Sequence, residues 1–190
     1  MRIIAGKLKG TVLYLPPDKN TRPLKDRAKE SIFNLLVHSN KISFQFKNSN
    51  ILDLYAGTGS FGLECLSREA NNVYFVEQSK STINILKKNI NKLKVNNKAN
   101  ILHSDVIELI KKKFIFKSKF DLIFCDPPFK SMDIEQLIDK IFHNNILKKN
   151  GTLIIHRNKN TKEILPNFFE IIDERNFGIS KIIFGKFSIR

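Results

Sequence analysis

The chain has 190 residues, 42% of them hydrophobic, which suits one domain with a buried core. No apolar run approaches the roughly 20 residues of a membrane span, and Met1 to Lys7 lacks the apolar core and cleavage site of a signal peptide, so a cytoplasmic protein is expected. The net charge of +15 points to a polyanionic partner, above all nucleic acid, although the abundance of Asn, Ile and Lys is also what AT-rich codon usage produces.

From the N-terminus, residues 2–16 alternate apolar and polar positions around Gly6 to Gly10 and predict a hairpin of two short strands. Pro16 and Pro17 end it, and a polar loop runs to Pro23. In residues 24–36, Ala28, Ile32 and Leu35 recur at helical spacing, which predicts an amphipathic helix with a basic outer face. Arg22, Lys25, Arg27 and Lys29 gather near its start, where positive charge opposes the helix dipole. Contact with phosphate is one reading of that cluster; a solvated face is the other. Residues 1–46 form an extension and residues 47–190 the core of a single domain.

An apolar run from Ile51 to Tyr55 stops at a loop holding Ala56, Gly57, Gly59 and Gly62, and a helical pattern begins at once. Glycines there permit a sharp turn, close approach of a ligand, and packing of the new helix on the strand. The spacing is G-x-G-x-x-G, which nicotinamide and flavin sites share. Asp53, just ahead of the loop, argues for something else. A carboxylate suits a ligand with a cationic amino group and does nothing for a pyrophosphate. S-adenosylmethionine carries that ammonium and no phosphate.

Further apolar runs follow at 73–76, 100–103, 120–125 and 152–156. Helical stretches lie between them, around 61–68, 79–93, 106–114 and 133–142. This rhythm predicts a doubly wound Rossmann-like α/β fold, with a mostly parallel sheet covered by helices on both faces. Residues 168–175 and 180–187 read as strands with Gly178 between them and no room for a helix. They should pair antiparallel at the sheet edge. Cys65 and Cys125 have no paired spacing, and His38, His103, His143 and His156 are scattered, so neither a disulfide nor a metal site is expected.

Ligands of such sheets bind at the carboxyl ends of the strands, where strand order reverses. An acid stands there on four strands: Asp53, Glu77, Asp105 and Asp126. Glu77 lies about 20 residues past the glycine loop, where a carboxylate can accept both ribose hydroxyls of an adenosyl group. Asp105 can accept from an adenine amino group with Val106 against the ring, or it can cap the next helix.

The run Asp126-Pro127-Pro128-Phe129 separates methyl transfer from hydride transfer. The prolines stiffen the chain and remove two backbone donors. The Asp126 carboxylate and nearby carbonyls remain as acceptors, with an aromatic ring beside them. That set suits a planar amino group. Its lone pair is delocalised into the base, and accepting its N–H bonds returns density to nitrogen. Phe129 can stack on the base, worth roughly 1–3 kcal/mol. Lys130 follows, placed either to meet a phosphate or to lie in solvent. Cys125 precedes Asp126 inside an apolar strand and reads as a buried hydrophobe rather than a nucleophile.

Asp53-Leu-Tyr-Ala-Gly-Thr-Gly with Asp126-Pro-Pro-Phe resembles the class I S-adenosylmethionine-dependent amino methyltransferases. Arg2-Ile-Ile-Ala-Gly with Lys9-Gly, Arg22-Pro-Leu-Lys-Asp-Arg-Ala-Lys-Glu, and Gly62-Leu-Glu-Cys-Leu-Ser-Arg are similar to the bacterial 16S rRNA guanine-N2 methyltransferases, the RsmD family, over essentially the whole chain. The resemblance implies methylation of one guanine N2 of small-subunit rRNA, in an assembling or assembled particle, by a monomer using S-adenosylmethionine. It would give Asp53, Ala56, Gly57, Gly59, Glu77, Asp105 and Val106 to the cofactor, and Asp126 to Phe129 to a flipped guanine. Flipping costs a few kcal/mol, less in a loop. Arg22, Lys25, Arg27 and Lys130 would meet RNA. Two departures stand out. Leu24 replaces the family's usual Thr, and Glu69 replaces a Gly that commonly ends the first core helix.

Other readings explain less. A protein glutamine methyltransferase would usually show Asn-Pro-Pro-Tyr, and a DNA adenine enzyme a sizeable extra recognition region. A nicotinamide-dependent oxidoreductase accounts for Gly57 to Gly62 and Glu77 but leaves Asp126-Pro-Pro-Phe without a purpose. A catalytically idle RNA-binding module accounts for the charge alone.

Overall fold

The computed structural model describes residues 1–16, 26–113, 115–128, 134–161 and 164–188, with the backbone alone at Asp26. Helix α1 (Asp26–His38) precedes an alternation of β1 (Asn50–Leu54), α2 (Ser60–Ser67), β2 (Asn72–Glu77), α3 (Lys80–Leu93), β3 (Ala99–His103), α4 (Val106–Ile110), β4 (Phe120–Cys125), α5 (Ile134–His143) and β5 (Leu147–Asn158). Two further strands, β6 (Phe169–Phe177) and β7 (Ser180–Phe187), close the chain. All seven strands join one sheet in the order β3-β2-β1-β4-β5-β7-β6. Strands β1 to β5 pair in parallel, while β7 pairs antiparallel with both β5 and β6.

Strand side chains alternate between two cores, as a period of two requires. Ile51, Val73, Phe75, Leu122, Phe124 and Ile154 face α1, α2 and α3. Leu52, Leu54, Val76, Ile123, Cys125 and Ile155 face α4 and α5. Burial on both faces is why these strands read as continuous apolar runs rather than as alternating ones. The tail pairs antiparallel at the sheet edge, as expected. The chain leaves β5, runs out to the edge as β6, and returns as β7 between them, so β6 is the edge. Its burial pattern is mostly exposed, whereas β7 has four consecutive buried residues.

The N-terminal segment departs from expectation. In place of two strands it makes a single antiparallel bridge, Arg2 with Val12. Ile3 N–H still reaches Thr11 O at 2.9 Å, and Leu13 N–H reaches Met1 O at 3.1 Å. The ladder stops because α2 takes the next donors. Glu64 accepts Ile4 N–H at 2.7 Å and Ala5 N–H at 2.9 Å. Ser67 accepts Lys7 N–H on its carbonyl at 2.8 Å and Leu8 N–H on its hydroxyl at 3.0 Å.

Lys29 is also displaced from its predicted place. It is fully buried rather than on the basic outer face of α1. It shares the inner stripe with Ile32, Phe33 and Leu36, and its ammonium donates to Arg2 O at 2.7 Å and Ser60 Oγ at 3.4 Å. Glu64 Oε2 lies 3.8 Å away, and Arg68 Nε donates to Glu64 Oε1 at 3.0 Å. One buried carboxylate therefore joins α1, α2 and the N-terminal segment. At the end of α2, Glu69 takes φ 76°, the left-handed conformation that favours glycine. Its N–H donates to Leu66 O at 3.1 Å and Ala70 N–H to Cys65 O at 3.0 Å, so the helix terminates as it would with glycine there. Leu24 lies outside the described residues.

Removing one partner of a buried ionic cluster strands the others, at a cost of about 3–5 kcal/mol. Glu64→Ala should lose that much stability in urea denaturation and leave residues 1–16 open to limited proteolysis. A loss under about 1 kcal/mol, the range of an exposed ion pair, would show that Glu64 does not organise this region.

Candidate active site

Strand β1 lies between β2 and β4, so the chain reverses strand order beside its carboxyl end. The glycine loop occupies that point. Tyr55 turns out of the strand at φ 59°, and Ala56 N–H then donates to Val76 O at 2.9 Å, holding the loop against β2. On the other side Asn89 of α3 donates to Thr58 O at 3.0 Å and Tyr14 O at 3.1 Å, and accepts Tyr14 N–H at 2.7 Å. Phe61, one residue into α2, stacks on Phe124 of β4 with centroids 4.0 Å apart. The loop is thus clamped by three elements and the N-terminal segment.

The loop glycines do different things. A Cβ on Gly62 would come within 2.3 Å of Phe75 Cε1, and one on Gly59 within 2.4 Å of Leu86 Cδ1. Those two positions are small because α2 leans on β2 and α3. Gly57 takes φ 56°, and a Cβ there would meet nothing within 4 Å. It is the one of the three that leaves backbone open to a ligand.

The strand-end acids converge around this loop. Asp53 shares the face of Ile51, so its carboxylate points at the start of α2 and accepts Gly62 N–H at 3.0 Å. It is 1% exposed. Burial pushes its carboxyl well above the usual range, the Gly62 hydrogen bond draws it back, and the Asp126 and Glu77 carboxylates push it up further. Glu77 accepts Gly57 N–H at 2.9 Å on one oxygen and Ser79 N–H at 2.8 Å on the other. Its carboxylate is therefore oriented by backbone, with lone pairs still available to hydroxyl donors. Asp105 is exposed and caps α4, accepting Glu108 N–H at 3.0 Å, and Val106 behind it is buried. Ala56 is buried as well.

Asp126 continues β4 across the switch point, its N–H donating to Leu54 O at 3.4 Å. Pro127 is buried and Pro128 exposed. His156 Nδ1 of β5 lies 2.7 Å from Asp126 Oδ1. His156, one of four histidines without ligand spacing in the sequence, stands two residues after Ile154, on the face that Asp126 shares. Arg157, beside it, is 2% exposed. Burial pushes the Tyr55 hydroxyl up, as do Cys125 and Asp105, against the opposing pull of Arg157. Burial likewise pushes the Cys125 thiol well up, which keeps it protonated and unreactive. Phe129, Lys130, Arg22 and Lys25 lie outside the described residues, and Arg27 is exposed on α1. Among the described residues no three or more His, Cys, Asp or Glu side chains gather as a metal site, and no helix is long and apolar enough to cross a membrane.

In a chain of net charge +15, the groups around the loop are carboxylates and backbone donors. The carboxylates repel a pyrophosphate and accept hydrogen bonds and cations.

A family model described as Conserved hypothetical protein 95 matches residues 1–186. The chain is similar to the ribosomal RNA small subunit methyltransferase D of Haemophilus influenzae, with 35% identity over 94% of this chain and 90% of that one. Its fold matches the solved structure of Escherichia coli yhhF at TM-score 0.85 and 26% identity, covering 100% and 99% of the two chains. It also matches Haemophilus influenzae HI0767 at TM-score 0.79 and 32% identity, covering 99% and 98%. With the family model spanning residues 1–186 and a relative 35% identical over 94% of this chain, the chain belongs to the RsmD family of Rossmann-like rRNA methyltransferases.

Proposed function

We propose that this chain transfers a methyl group from S-adenosylmethionine to the exocyclic N2 of one guanine in small-subunit rRNA. It would act as a cytoplasmic monomer on an assembling or assembled ribosomal particle. The observation that carries the reading is Asp126. This carboxylate follows β4 at the switch point, is fixed between Pro127 and His156, and faces a loop whose only open glycine is Gly57.

The residues present fit the cofactor. Asp53, Glu77 and Asp126 offer no donor that a phosphate would need, and Gly57 leaves room for close approach. Asp53 would meet the ammonium, Glu77 the ribose hydroxyls, Asp105 and Val106 the adenine, and Ala56 to Gly59 the backbone contacts. When bound, S-adenosylmethionine supplies an electrophilic methyl group whose leaving group is a neutral thioether. The chain's own part is positional and electrostatic. Asp126 accepts from the guanine amine and returns lone-pair density to nitrogen. Pro127 and Pro128 keep competing donors away, and Phe129 stacks on the base. Charged hydrogen bonds of this kind are worth about 1.5–3 kcal/mol each.

Arg22, Lys25, Arg27 and Lys130 are proposed to meet rRNA phosphates. The described flanks of residues 17–25 support this for the first two. Tyr14 is tied through Asn89 to Thr58, and Lys29 is bonded to Ser60, so both flanks are anchored to the glycine loop.

Four experiments test the proposal. Asp126→Ala should abolish labelled methyl transfer to small-subunit rRNA from cells lacking the modification, with S-adenosylhomocysteine binding intact; near-normal transfer would remove Asp126 from its role. Mass spectrometry of the product should place the methyl on guanine N2. Arg22→Glu with Arg27→Glu should weaken rRNA binding and leave cofactor affinity alone, whereas unchanged rRNA affinity favours a solvated face. Asp53 gives a pH-dependent test. A carboxyl whose value is raised on folding contributes most to stability below the ordinary carboxylate range, and that contribution is lost as pH rises through its folded value. Asp53→Asn should therefore melt higher than the parent on the alkaline side of neutrality, with the gain shrinking toward acid pH. The same variant should bind S-adenosylhomocysteine about tenfold more weakly or worse, given the strength of a charged hydrogen bond. A lower melting point at alkaline pH would show that Asp53 stabilises the unliganded fold.

A further inference from the structure

The structure assigns His156 the role of holding Asp126 in its amine-accepting orientation, an inference that rests on the role proposed for that carboxylate. The two side chains are 9% and 23% exposed, with Nδ1 and Oδ1 2.7 Å apart. Register brings them together. Cys125 pairs with Ile155 in parallel, so the next residue on each strand stands side by side on the face that also carries Asp53.

The Asp126 backbone is already restrained, by its bond to Leu54 O at 3.4 Å and by the proline that follows. What those restraints leave free is rotation of the carboxylate. Asp53 on β1 repels it, and Asp53 is itself repelled by Glu77 on β2. The charge of Arg157 on β5 is felt at Cys125 and Tyr55. His156 supplies a directed contact instead. An ionised carboxylate only accepts, so the Nδ1–H of His156 donates to Oδ1. Oδ2 is then the oxygen presented to the amine. His156 acts through Asp126 and is a positioning residue.

Asparagine, glutamine and leucine at position 156 separate this role from packing. Asn can place a donor where Nδ1 stands. Gln carries its amide one carbon further out, and Leu fills volume with no donor. Steady-state methylation of rRNA from cells lacking the modification should show kcat reduced about 10–100-fold in His156→Leu and His156→Gln, the scale expected when a reacting group is misplaced by about an ångström. KM for rRNA and S-adenosylhomocysteine affinity should stay near the parent values. His156→Asn should recover most of the lost kcat. Parent-like kcat in His156→Leu, or equal kcat in the Asn and Leu variants, overturns the inference, as does a matching loss of S-adenosylhomocysteine affinity. A stability cycle needs no activity: urea denaturation of Asp126→Ala, His156→Leu and the double variant should be non-additive, and additivity overturns the contact. The two readings fail separately. Transfer by Asp126→Ala defeats the role of Asp126 itself, whereas an inactive Asp126→Ala beside a fully active His156→Leu defeats only the role of His156.

Discussion

The glycine loop can hold its shape only if the start of α2 is held, and that helix is anchored by one fully buried carboxylate. Glu64 accepts two backbone N–H groups from the N-terminal segment and pairs with Arg68, which caps its helix, and Lys29 on α1. Arg68 in turn lies over the Phe33 ring at 4.6 Å, so the polar cluster merges with the α1 core. A carboxylate out of water is tolerated only when donors and opposite charge meet it, and here three hydrogen bonds and the Lys29 ammonium at 3.8 Å do so. The consequence is geometric. The N-terminal segment, α1 and α2 are joined through this one carboxylate, and the loop between β1 and α2 leads directly into the anchored helix. Asn89 completes the arrangement from α3 by bonding both Thr58 and Tyr14.

The acids at the strand ends stand in tension with that rigid frame. Asp53 is buried with Asp126 and Glu77 for neighbours, an arrangement that local stability disfavours. Strain of this kind at a cleft is characteristic of a site prepared for a ligand of opposite charge. Backbone donors at Gly57, Gly62 and Ser79 orient two of the three carboxylates in advance, and His156 meets the third. Orientation before binding is what a transfer reaction between two bound partners requires.

Much of this was legible in the residues. The parallel sheet followed from apolar runs at regular spacing, the loop from its three glycines, and the departure from a dinucleotide site from Asp53 and the Asp126-Pro127-Pro128 run. These are local patterns, each spelled out within a dozen residues. The burial of Lys29 is not legible locally, because helical spacing marks a stripe of apolar side chains but does not say how wide the buried stripe is, or that a lysine within it finds Arg2 O and Glu64. His156 was missed because its partner lies 30 residues away. The N-terminal segment stops short of a hairpin for a similar reason. Its alternation was real, but α2 competed successfully for Ile4, Ala5, Lys7 and Leu8.

By itself the sequence determined the strand–helix alternation, the glycine turn, the chemistry of the strand-end acids and the family resemblance, because each depends on neighbours in the chain. Only the tertiary structure decided the strand order, with β7 threaded between β5 and β6, and the register that stands His156 beside Asp126. It alone decided which glycine stays open and which cations are buried. Those outcomes depend on contacts between residues tens of positions apart, where burial, register and the satisfaction of polar groups outweigh local preference.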